Sequence, residues 1–286
     1  MGRFKRLGKR AFFEEYNMKV GVVGCAGRMG QMLVREVIKT EGCELSGGTE
    51  EPKNKALGND VAIYSGLPEC GHTISENSEK LFATSDIVID FTLPAATLMH
   101  LNFAQKHKTS LILGTTGHNQ NALEAIVKAS ENIIIVKAMN FSIGVNALFA
   151  LTEKLSSMLD ASFDIEVLEM HHKHKLDAPS GTAIALGEAA AKGRSVYLDD
   201  VSVRGRDGIS DARKKGEIGF ASLRGGEVVG DHSIIFASES ERIELTHKAG
   251  SRGIFSRGAV VAALWTKDKS PGLYNMQDVL GLNKGS

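Results

Sequence analysis

Five consecutive basic side chains stand near the middle of the chain, at residues 171–175. They are His171, His172, Lys173, His174 and Lys175, and they follow FDIEVLE, a partly alternating apolar run that is typical of a β-strand. If the backbone stays extended, His171, Lys173 and Lys175 share one face, because side chains alternate along a strand. Histidine exchanges a proton near neutral pH, and lysine adds a positive charge and a transferable proton. The pattern indicates a site that protonates an anionic substrate.

A helix start follows this basic run. Pro179, Ser180, Gly181 and Thr182 precede the alanine-rich AIALGEAAA, which predicts a helix that begins near Gly181 with Ser180 as its N-cap. Free N–H groups at a helix N-terminus favour anions, and a glycine there lets a ligand approach closely. We therefore expect the backbone at Ser180, Gly181 and Thr182 to bind a carboxylate or phosphate.

The basic run has two other interpretations. Closely spaced histidines could bind zinc, but the sequence has neither H-E-x-x-H nor C-x-x-C, and the adjacent lysines would repel a cation. We therefore predict no metal site. A solvated basic loop fits the charge pattern taken alone. The helix start that follows argues against a solvated loop and favours an anion-binding site.

The composition restricts the class of protein and its partners. At 286 residues the chain can form two domains, and 42% hydrophobic with 24% charged residues is typical of a globular protein. The 34 basic and 34 acidic residues cancel, so we expect no nucleic-acid or membrane partner. No run approaches the roughly 20 apolar residues of a membrane-spanning helix.

The cysteines and the N-terminus bear on the compartment. Cys25, Cys43 and Cys70 have no metal-type spacing, and an odd number argues against a disulfide framework, so a cytoplasmic location is expected. Residues 1–17 have a basic start but no apolar core of signal-peptide length. We interpret them as a disordered or weakly helical extension, with Met18 as an alternative start.

A glycine turn opens the ordered part of the sequence. Residues 18–40 predict a strand, a turn and a helix, with Gly24, Gly27 and Gly30 spaced as G-x-x-G-x-x-G. This is a variant of the dinucleotide-binding fingerprint, whose glycines let the pyrophosphate approach the backbone. The same glycines also occur in plain strand-to-helix turns. Here Glu50, at the end of a second strand, could accept hydrogen bonds from an adenosine ribose.

The next residue bears on the choice of cofactor. Glu51 adds a negative charge where the 2′-phosphate of NADPH would lie, so we favour NADH. Lys53 and Lys55 would offset part of that charge.

The first half of the chain repeats a strand-helix pattern. SDIVIDFT, SLILGTTG and NIIIVKA are apolar strands separated by helices, which predicts an α/β, Rossmann-like doubly wound parallel sheet. Residues at the carboxyl edge of such a sheet bind ligands, which makes Gly114, Thr115 and Thr116 candidates. After the last of these strands, Asn140 could bind a nicotinamide amide and Phe141 could pack on its ring. A plain strand-end loop fits those residues equally well.

After the central motif the pattern becomes β-rich. VYLDDVSVRG, EIGFASLRG, EVVGDHSIIFAS and ERIELTHKA predict a second, α+β domain with an open mixed or antiparallel sheet that could form an oligomer interface. His232 and His247 lie within these runs and are predicted to be structural. RGRDGISDARKKGE could cover a substrate, although a solvated hairpin is the simpler prediction. We expect a dinucleotide-binding domain at 18–141 and 252–286, and a substrate-binding and oligomerisation domain at 142–251.

Several motifs in this order carry a family resemblance. GCAGRMG, DFT, GTTG, NFSIGVN, EMHHKHKLDAPSGTA, IGFASLRGGEVVGDH and YNMQDVL resemble the 4-hydroxy-tetrahydrodipicolinate reductase family, also called dihydrodipicolinate reductases, from about residue 18 to the end. The resemblance implies NAD(P)H-dependent reduction of a dicarboxylate in the diaminopimelate route to lysine. It also implies a homotetramer built through the second domain's sheet.

The resemblance assigns roles to individual residues. It implies that His171 donates or accepts a proton, that Lys175 donates one, and that His172 with Gly181 and Thr182 holds the substrate. The positions that match the family's cofactor contacts are Gly24, Cys25, Ala26, Gly27, Arg28, Met29, Glu50, Gly114, Thr115, Thr116, Ala138, Met139, Asn140 and Phe141. Family members commonly carry an arginine after the acidic residue, and Glu51 stands there instead, which again disfavours NADPH.

Two rival functions remain at this point. An amino-acid dehydrogenase of another family would share the glycine turn but not HHKHK followed by PSGT. A non-catalytic dinucleotide sensor would keep the first domain but has no evident need for a basic cluster at a helix start.

Overall fold

The computed structural model describes residues 17–209 and 211–282. All but the last residue of the N-terminal extension expected at 1–17 therefore lie outside the described residues. The strands are β1 (Met18–Val23), β2 (Cys43–Thr49), β3 (Ile87–Asp90), β4 (Ser110–Leu113), β5 (Ile134–Lys137), β6 (Asp164–His171), β7 (Ser202–Val203), β8 (Ile218–Arg224), β9 (Asp231–Ala237), β10 (Arg242–Lys248) and β11 (Gly272–Tyr274).

The helices alternate with the strands in the first half of the chain. They are α1 (Arg28–Lys39), α2 (Val61–Tyr64), α3 (Ser78–Thr84), α4 (Pro94–His107), α5 (Gln120–Ser130), α6 (Ile143–Met158), α7 (Gly181–Gly193), α8 (Leu198–Val201), α9 (Gly253–Trp265) and α10 (Met276–Val279). The predicted helix start at Gly181 is confirmed, with Ser180 as the N-cap.

The first sheet is parallel and has six strands in the order β11-β5-β4-β3-β1-β2. Every residue of β3 is buried, as expected for a central strand that is covered on both faces. Leu33 of α1 and Ala259 of α9 belong to the core on one face, and Phe82 and Leu101 belong to the core on the other. The predicted doubly wound sheet is confirmed.

The second sheet is mixed, in the order β10-β9-β6-β8-β7. Its central strand β6 runs antiparallel to β9 and parallel to β8. Residues of β6 alternate between half-buried and buried, and the buried face packs on α6 and α7 through Leu148, Ala183 and Leu186. The fold class expected from the sequence, an α/β sheet with a second α+β unit, is confirmed.

One β-rich run was predicted wrongly. Within VYLDDVSVRG, residues Leu198–Val201 form the short helix α8 and only Ser202–Val203 form a strand. Asp199 and Asp200 lie in the first helical turn, where their negative charges interact favourably with the helix dipole.

Candidate functional site

A cavity of about 550 Å³ lies between the carboxyl edge of the first sheet and the second sheet with its helix α7. It is lined by Thr116, Lys137, Ala138, Met139, Asn140, Asn146, Phe149, His171, Lys175, Ser180, Gly181, Thr182, Ala185, Asn275, Met276 and Gln277. The cavity thus brings together residues expected to act on a nicotinamide and residues expected to act on a substrate. The tail residues Asn275–Gln277 and the helix residues Asn146 and Phe149 were not expected there.

His171 is the last residue of β6 and is buried. Its Nδ1 lies 2.5 Å from Oε2 of Glu169, two residues earlier on the same face of the strand. Because Nδ1 is occupied by this carboxylate, Nε2 is the ring nitrogen left to exchange a proton with a ligand. The E-x-H spacing at the end of a strand is a sequence signal that could have identified Glu169.

Glu169 is 1% exposed and accepts hydrogen bonds from several groups. Arg224 donates from Nη1 and Nη2 to its two oxygens, each at 2.9 Å, and the Ser180 N–H donates at 3.2 Å. Burial alone would raise the pKa of Glu169, but the hydrogen bonds from Arg224 and His171 hold that pKa below its ordinary value. The carboxylate is therefore ionised at neutral pH.

The chain turns directly after His171. The Lys175 N–H donates to the His172 carbonyl at 3.1 Å, and the Lys175 ammonium donates to the Asp177 carboxylate at 2.8 and 2.9 Å. Lys175 borders the cavity, whereas Lys173 is exposed and lies 3.7 Å from a carboxylate oxygen of Glu227. The backbone does not stay extended after His171, so this turn and not strand alternation directs Lys175 to the cavity.

His172 occupies a different position from its neighbour. In the described structure it is half-buried and is absent from the residues that line the cavity, with its ring 6.2 Å from that of His174. Its expected role in holding the substrate stays a prediction.

The N-terminus of α7 opens onto the cavity. The Ser180 hydroxyl accepts from the Ala183 N–H at 3.2 Å and lies 3.1 Å from Nε2 of His232. A side chain added at Gly181 would meet no atom within 4 Å among the residues that the structure describes. The backbone N–H groups of the first turn are thus accessible to an anion.

His232 lies beside the site although the sequence suggested only a structural role. It stands opposite Glu169 in the β6–β9 register, and its ring centroid is 5.0 Å from that of His171. Burial, together with the nearby His171, lowers the pKa of His232 from 6.5 to about 4. The ring is therefore neutral at neutral pH. No sequence pattern within β9 alone predicts this contact, since it depends on the pairing of β9 with β6.

The glycine turn fits a dinucleotide pyrophosphate. Gly24 has a φ of +67°, and a Cβ at Gly30 would lie 2.0 Å from the Gly24 carbonyl oxygen, so both positions require glycine. Helix α1 has Gly27 as its N-cap, which provides no side chain to cap the first N–H groups. Those N–H groups are available to a phosphate.

Glu50 contacts the turn itself. Its Oε1 accepts from the Ala26 N–H at 2.8 Å, and its Oε2 accepts from the Asn54 side chain at 3.1 Å. Cys25 is buried, Arg28 is exposed and Met29 is half-buried. The carboxylate that is expected to bind a ribose is therefore positioned against the expected pyrophosphate loop.

Asp90 links the loops after β3 and β4 through hydrogen bonds. Its Oδ1 accepts from the Thr92 N–H at 2.8 Å and from the Thr115 hydroxyl at 3.2 Å, and its Oδ2 lies 2.7 Å from Nδ1 of His100. Burial alone would raise the pKa of Asp90, but His100 and Thr92 hold that pKa below its ordinary value. Gly114 follows β4 and packs on the Phe91 ring, because a Cβ there would lie 2.4 Å from it.

The loop after β5 connects the two sheets. The Asn140 side chain donates to the Thr182 hydroxyl at 3.3 Å and accepts from the Ser142 N–H at 2.8 Å. Met139 is exposed, whereas Phe141 is 1% exposed, with its ring 5.2 Å from that of Phe91. Phe141 thus packs in the core, and its stacking on a nicotinamide stays a prediction.

Residues 17–209 and 211–282 contain neither a metal-binding cluster nor a membrane-spanning helix. No group of three or more histidine, cysteine, aspartate or glutamate side chains in this part of the chain could hold a metal ion. Nor does any helix there have the length and apolar character needed to cross a membrane.

Comparison with known proteins covers nearly the whole chain. The family model described as dihydrodipicolinate reductase, N-terminus, matches residues 18–141, and the one described as dihydrodipicolinate reductase, C-terminus, matches residues 144–280. The 4-hydroxy-tetrahydrodipicolinate reductase of Rhodopseudomonas palustris (strain BisB5) is 52% identical over 93% of this chain and 98% of the relative. That of Dinoroseobacter shibae is 50% identical over 91% of this chain and 97% of the relative.

A solved structure is similar in fold over most of its length. The dipicolinate-bound dihydrodipicolinate reductase from Paenisporosarcina sp. TG-14 has a TM-score of 0.70 and 25% sequence identity, and the match covers 92% of this chain and 98% of that one.

Proposed function

Because the chain belongs to the dihydrodipicolinate reductase family, we propose that the 550 Å³ cavity is its active site and that His171 and Lys175 transfer protons there. The chain is an NAD(P)H-dependent oxidoreductase that reduces 4-hydroxy-tetrahydrodipicolinate to tetrahydrodipicolinate in lysine and diaminopimelate biosynthesis. The observation that carries the proposal is the meeting of His171, Lys175 and the α7 N-terminus in one cavity with the loop after β5.

The residues of the first sheet's carboxyl edge would hold the cofactor. The glycine turn, Gly24 to Met29, would bind the pyrophosphate, and Glu50 the adenosine ribose. Gly114 to Thr116 and Ala138 to Phe141 would border the nicotinamide, which supplies a hydride to the unsaturated ring of the substrate when the cofactor is bound. The requirement for glycine at Gly24 and Gly30 supports this assignment.

The opposite wall of the cavity would bind the substrate. The N–H groups of Gly181 and Thr182 and the Lys175 ammonium suit a carboxylate, because a helix N-terminus and a cation both favour an anion. Ser180 caps the helix and fixes the first turn. A dicarboxylate substrate is supported by the dipicolinate-bound relative from Paenisporosarcina. His172 is proposed to contribute a further substrate contact.

Proton transfer would complete the reduction. The 4-hydroxyl group must leave the substrate as water together with a ring hydrogen, which gives the unsaturated ring. After that ring has accepted the hydride it would carry enamine-like negative character, and His171 or Lys175 would protonate the neighbouring ring carbon. His171 would act through Nε2, because Nδ1 is held by Glu169. Asp177 orients the Lys175 ammonium through both carboxylate oxygens.

We further propose that NADH is preferred over NADPH. Glu51 is exposed directly after Glu50, and its N–H donates to Oε2 of Glu50 at 3.3 Å. A 2′-phosphate on the adenosine ribose would therefore meet two carboxylates, and Lys53 and Lys55 would compensate only in part. We propose a homotetramer in a cytoplasmic setting, associated through the outer face of the second sheet. Scattering in solution tests its mass.

One assay tests the function and the cofactor together. The enzyme is mixed with the aldehyde-condensation product of the preceding pathway step, and nicotinamide absorbance is followed at equal NADH and NADPH. We expect oxidation of both cofactors, with the higher kcat/KM for NADH. A higher kcat/KM for NADPH would contradict the cofactor proposal.

The same assay addresses the rival functions. Cofactor binding without oxidation would instead indicate a sensor. In a Lys175→Met variant we expect kcat to fall while the affinity for NADH, measured by fluorescence, remains. Equal kcat in this variant and the wild type would exclude Lys175 from proton transfer.

A further inference from the structure

We propose that Glu169 is the positioning residue of this active site and that, through Arg224, it fixes His171, Lys175 and the anion-binding helix start in one geometry. The inference rests on the proposed function, and it concerns a residue that touches neither the proposed cofactor residues nor the cavity. Glu169 does not line the cavity, and its side chain is 0% exposed.

The carboxylate is surrounded by donors that come from different parts of the chain. Oε1 accepts from Arg224 Nη2 at 2.9 Å and from the Ser180 N–H at 3.2 Å. Oε2 accepts from Arg224 Nη1 at 2.9 Å and lies 2.5 Å from Nδ1 of His171. A single carboxylate therefore holds the end of β6, the end of β8 and the first residue before α7.

Arg224 extends this arrangement to the lysine. Its Nη2 also donates to the Asp177 carbonyl at 2.6 Å, and the Asp177 carboxylate accepts from the Lys175 ammonium at 2.8 and 2.9 Å. The two proposed proton-transfer groups are thus joined by a continuous path, His171 to Glu169 to Arg224 to Asp177 to Lys175. A shift of Glu169 would displace both groups together.

Charge gives Glu169 a second effect on His171. The titratable and charged groups that face the His171 ring are Glu169 on its own strand, Arg224 on β8, His232 on β9 and Lys175 in the following turn. Of these, Glu169 alone is negative, and its carboxylate occupies the Nδ1 side of the ring. It also keeps a proton on Nδ1, so that the proton exchanged with a substrate is the one on Nε2.

The decisive variant is Glu169→Gln, which keeps the size of the side chain and removes its charge. We expect kcat to fall by about 10- to 100-fold, as for other residues that orient a functional histidine. The alkaline limb of the kcat profile should move to lower pH, because the proton-transfer site loses a neighbouring negative charge. The KM for NADH should change little, since the cofactor residues lie on the other wall.

A matched control is available in the same region. Glu227→Gln removes an exposed carboxylate that lies 3.7 Å from Lys173 and 4.0 Å from His174, outside the cavity lining. We expect wild-type kcat and an unmoved alkaline limb in this control. An unmoved limb in Glu169→Gln, or a limb moved equally in Glu227→Gln, would overturn the proposal, because a merely structural role lowers stability without moving the limb.

A second variant tests the positioning role of Glu169 if Glu169→Gln fails to fold. Arg224→Lys keeps a positive charge beside Glu169 but cannot donate to both Glu169 oxygens and to the Asp177 carbonyl at once. We expect a lower kcat with the alkaline limb in place, because the negative charge beside His171 remains. Wild-type kcat in Arg224→Lys would refute the path from Glu169 to Lys175.

Failure of the proposed function would be seen separately. The ¹⁵N resonances of His171, identified by their loss in His171→Asn, are titrated without substrate or cofactor. The proposal requires the titration midpoint to fall in Glu169→Gln and not in Glu227→Gln. If the wild type oxidises neither NADH nor NADPH, the function is wrong, while this titration still supports or overturns the positioning role.

Discussion

Two buried carboxylate–imidazole pairs lie at the ends of β3 and β6, and they differ in what the far side of the imidazole touches. Glu169 and His171 are 2.5 Å apart, and Asp90 and His100 are 2.7 Å apart. In both pairs the carboxylate is buried, accepts additional hydrogen bonds and has a lowered pKa. As isolated chemical groups the two pairs are nearly equivalent.

The two pairs differ in their surroundings. His171 ends a strand and borders the cavity, so its second ring nitrogen can reach a ligand. His100 lies within α4 with its ring 5.8 Å from that of Phe82, in the core of the first sheet. The pair at Asp90 therefore stabilises the loops after β3 and β4, whereas the pair at Glu169 is placed to support proton transfer. A buried carboxylate–histidine pair indicates catalysis only where the imidazole also faces a cavity.

The largest expected difference between the pairs is in turnover. His171→Asn should lower kcat by about 10²- to 10⁴-fold, the usual contribution of a general acid or base. His174→Asn is the matched control, since it changes an exposed histidine of the same basic run, and it should keep wild-type kcat. Steady-state kinetics at saturating NADH measures both. Similar kcat values in the two variants would contradict a role in proton transfer for His171.

The converse difference is in stability. His100→Leu leaves the Asp90 carboxylate buried without its imidazole partner, which should lower the free energy of unfolding by about 3–5 kcal/mol. His107→Leu, on the same helix but partly exposed, should cost far less. Urea unfolding provides the measurement. If His171→Asn lowered the free energy of unfolding more than His100→Leu does, the assignment of roles to the two pairs would be reversed.

A third, smaller effect concerns pH and His232, which packs against His171. Its pKa is lowered by burial from 6.5 to about 4, so the unfolded chain binds a proton at this residue before the folded one does. Stability should therefore fall as the pH decreases from about 6.5 to about 4, by about 3 kcal/mol from this residue.

The variant His232→Gln isolates that contribution. Glutamine can still bond to the Ser180 hydroxyl but does not titrate, so the loss of unfolding free energy between pH 6.5 and 4 should be smaller than in the wild type. The lowered pKa values of Asp90 and Glu169 act in the same direction but in a lower pH range, because their contribution to stability is lost only as the pH falls below about 4. Parallel curves for the variant and the wild type would contradict the buried, neutral state of His232.

The sequence predicts those features of the structure that depend on neighbouring residues. The glycine spacing at Gly24 and Gly30, the N-cap at Ser180 and the apolar strands each follow from the conformational preferences of nearby residues. The same reasoning identified His171, Lys175, Gly181 and Thr182, and all four border the cavity. It left the backbone path after His171 open, and there the chain forms a turn stabilised by the hydrogen bond from the Lys175 N–H to the His172 carbonyl.

The sequence by itself thus determined the two sheets, the glycine turn and the helix start that faces the basic run. Only the tertiary structure decided which groups support that run. Arg224 reaches Glu169 because β8 pairs with β6, His232 faces His171 because β9 pairs with the other edge of β6, and Asn275–Gln277 enter the cavity because the tail returns to the first sheet. Strand register and the return of the tail depend on contacts between distant segments, which no pattern within one segment specifies.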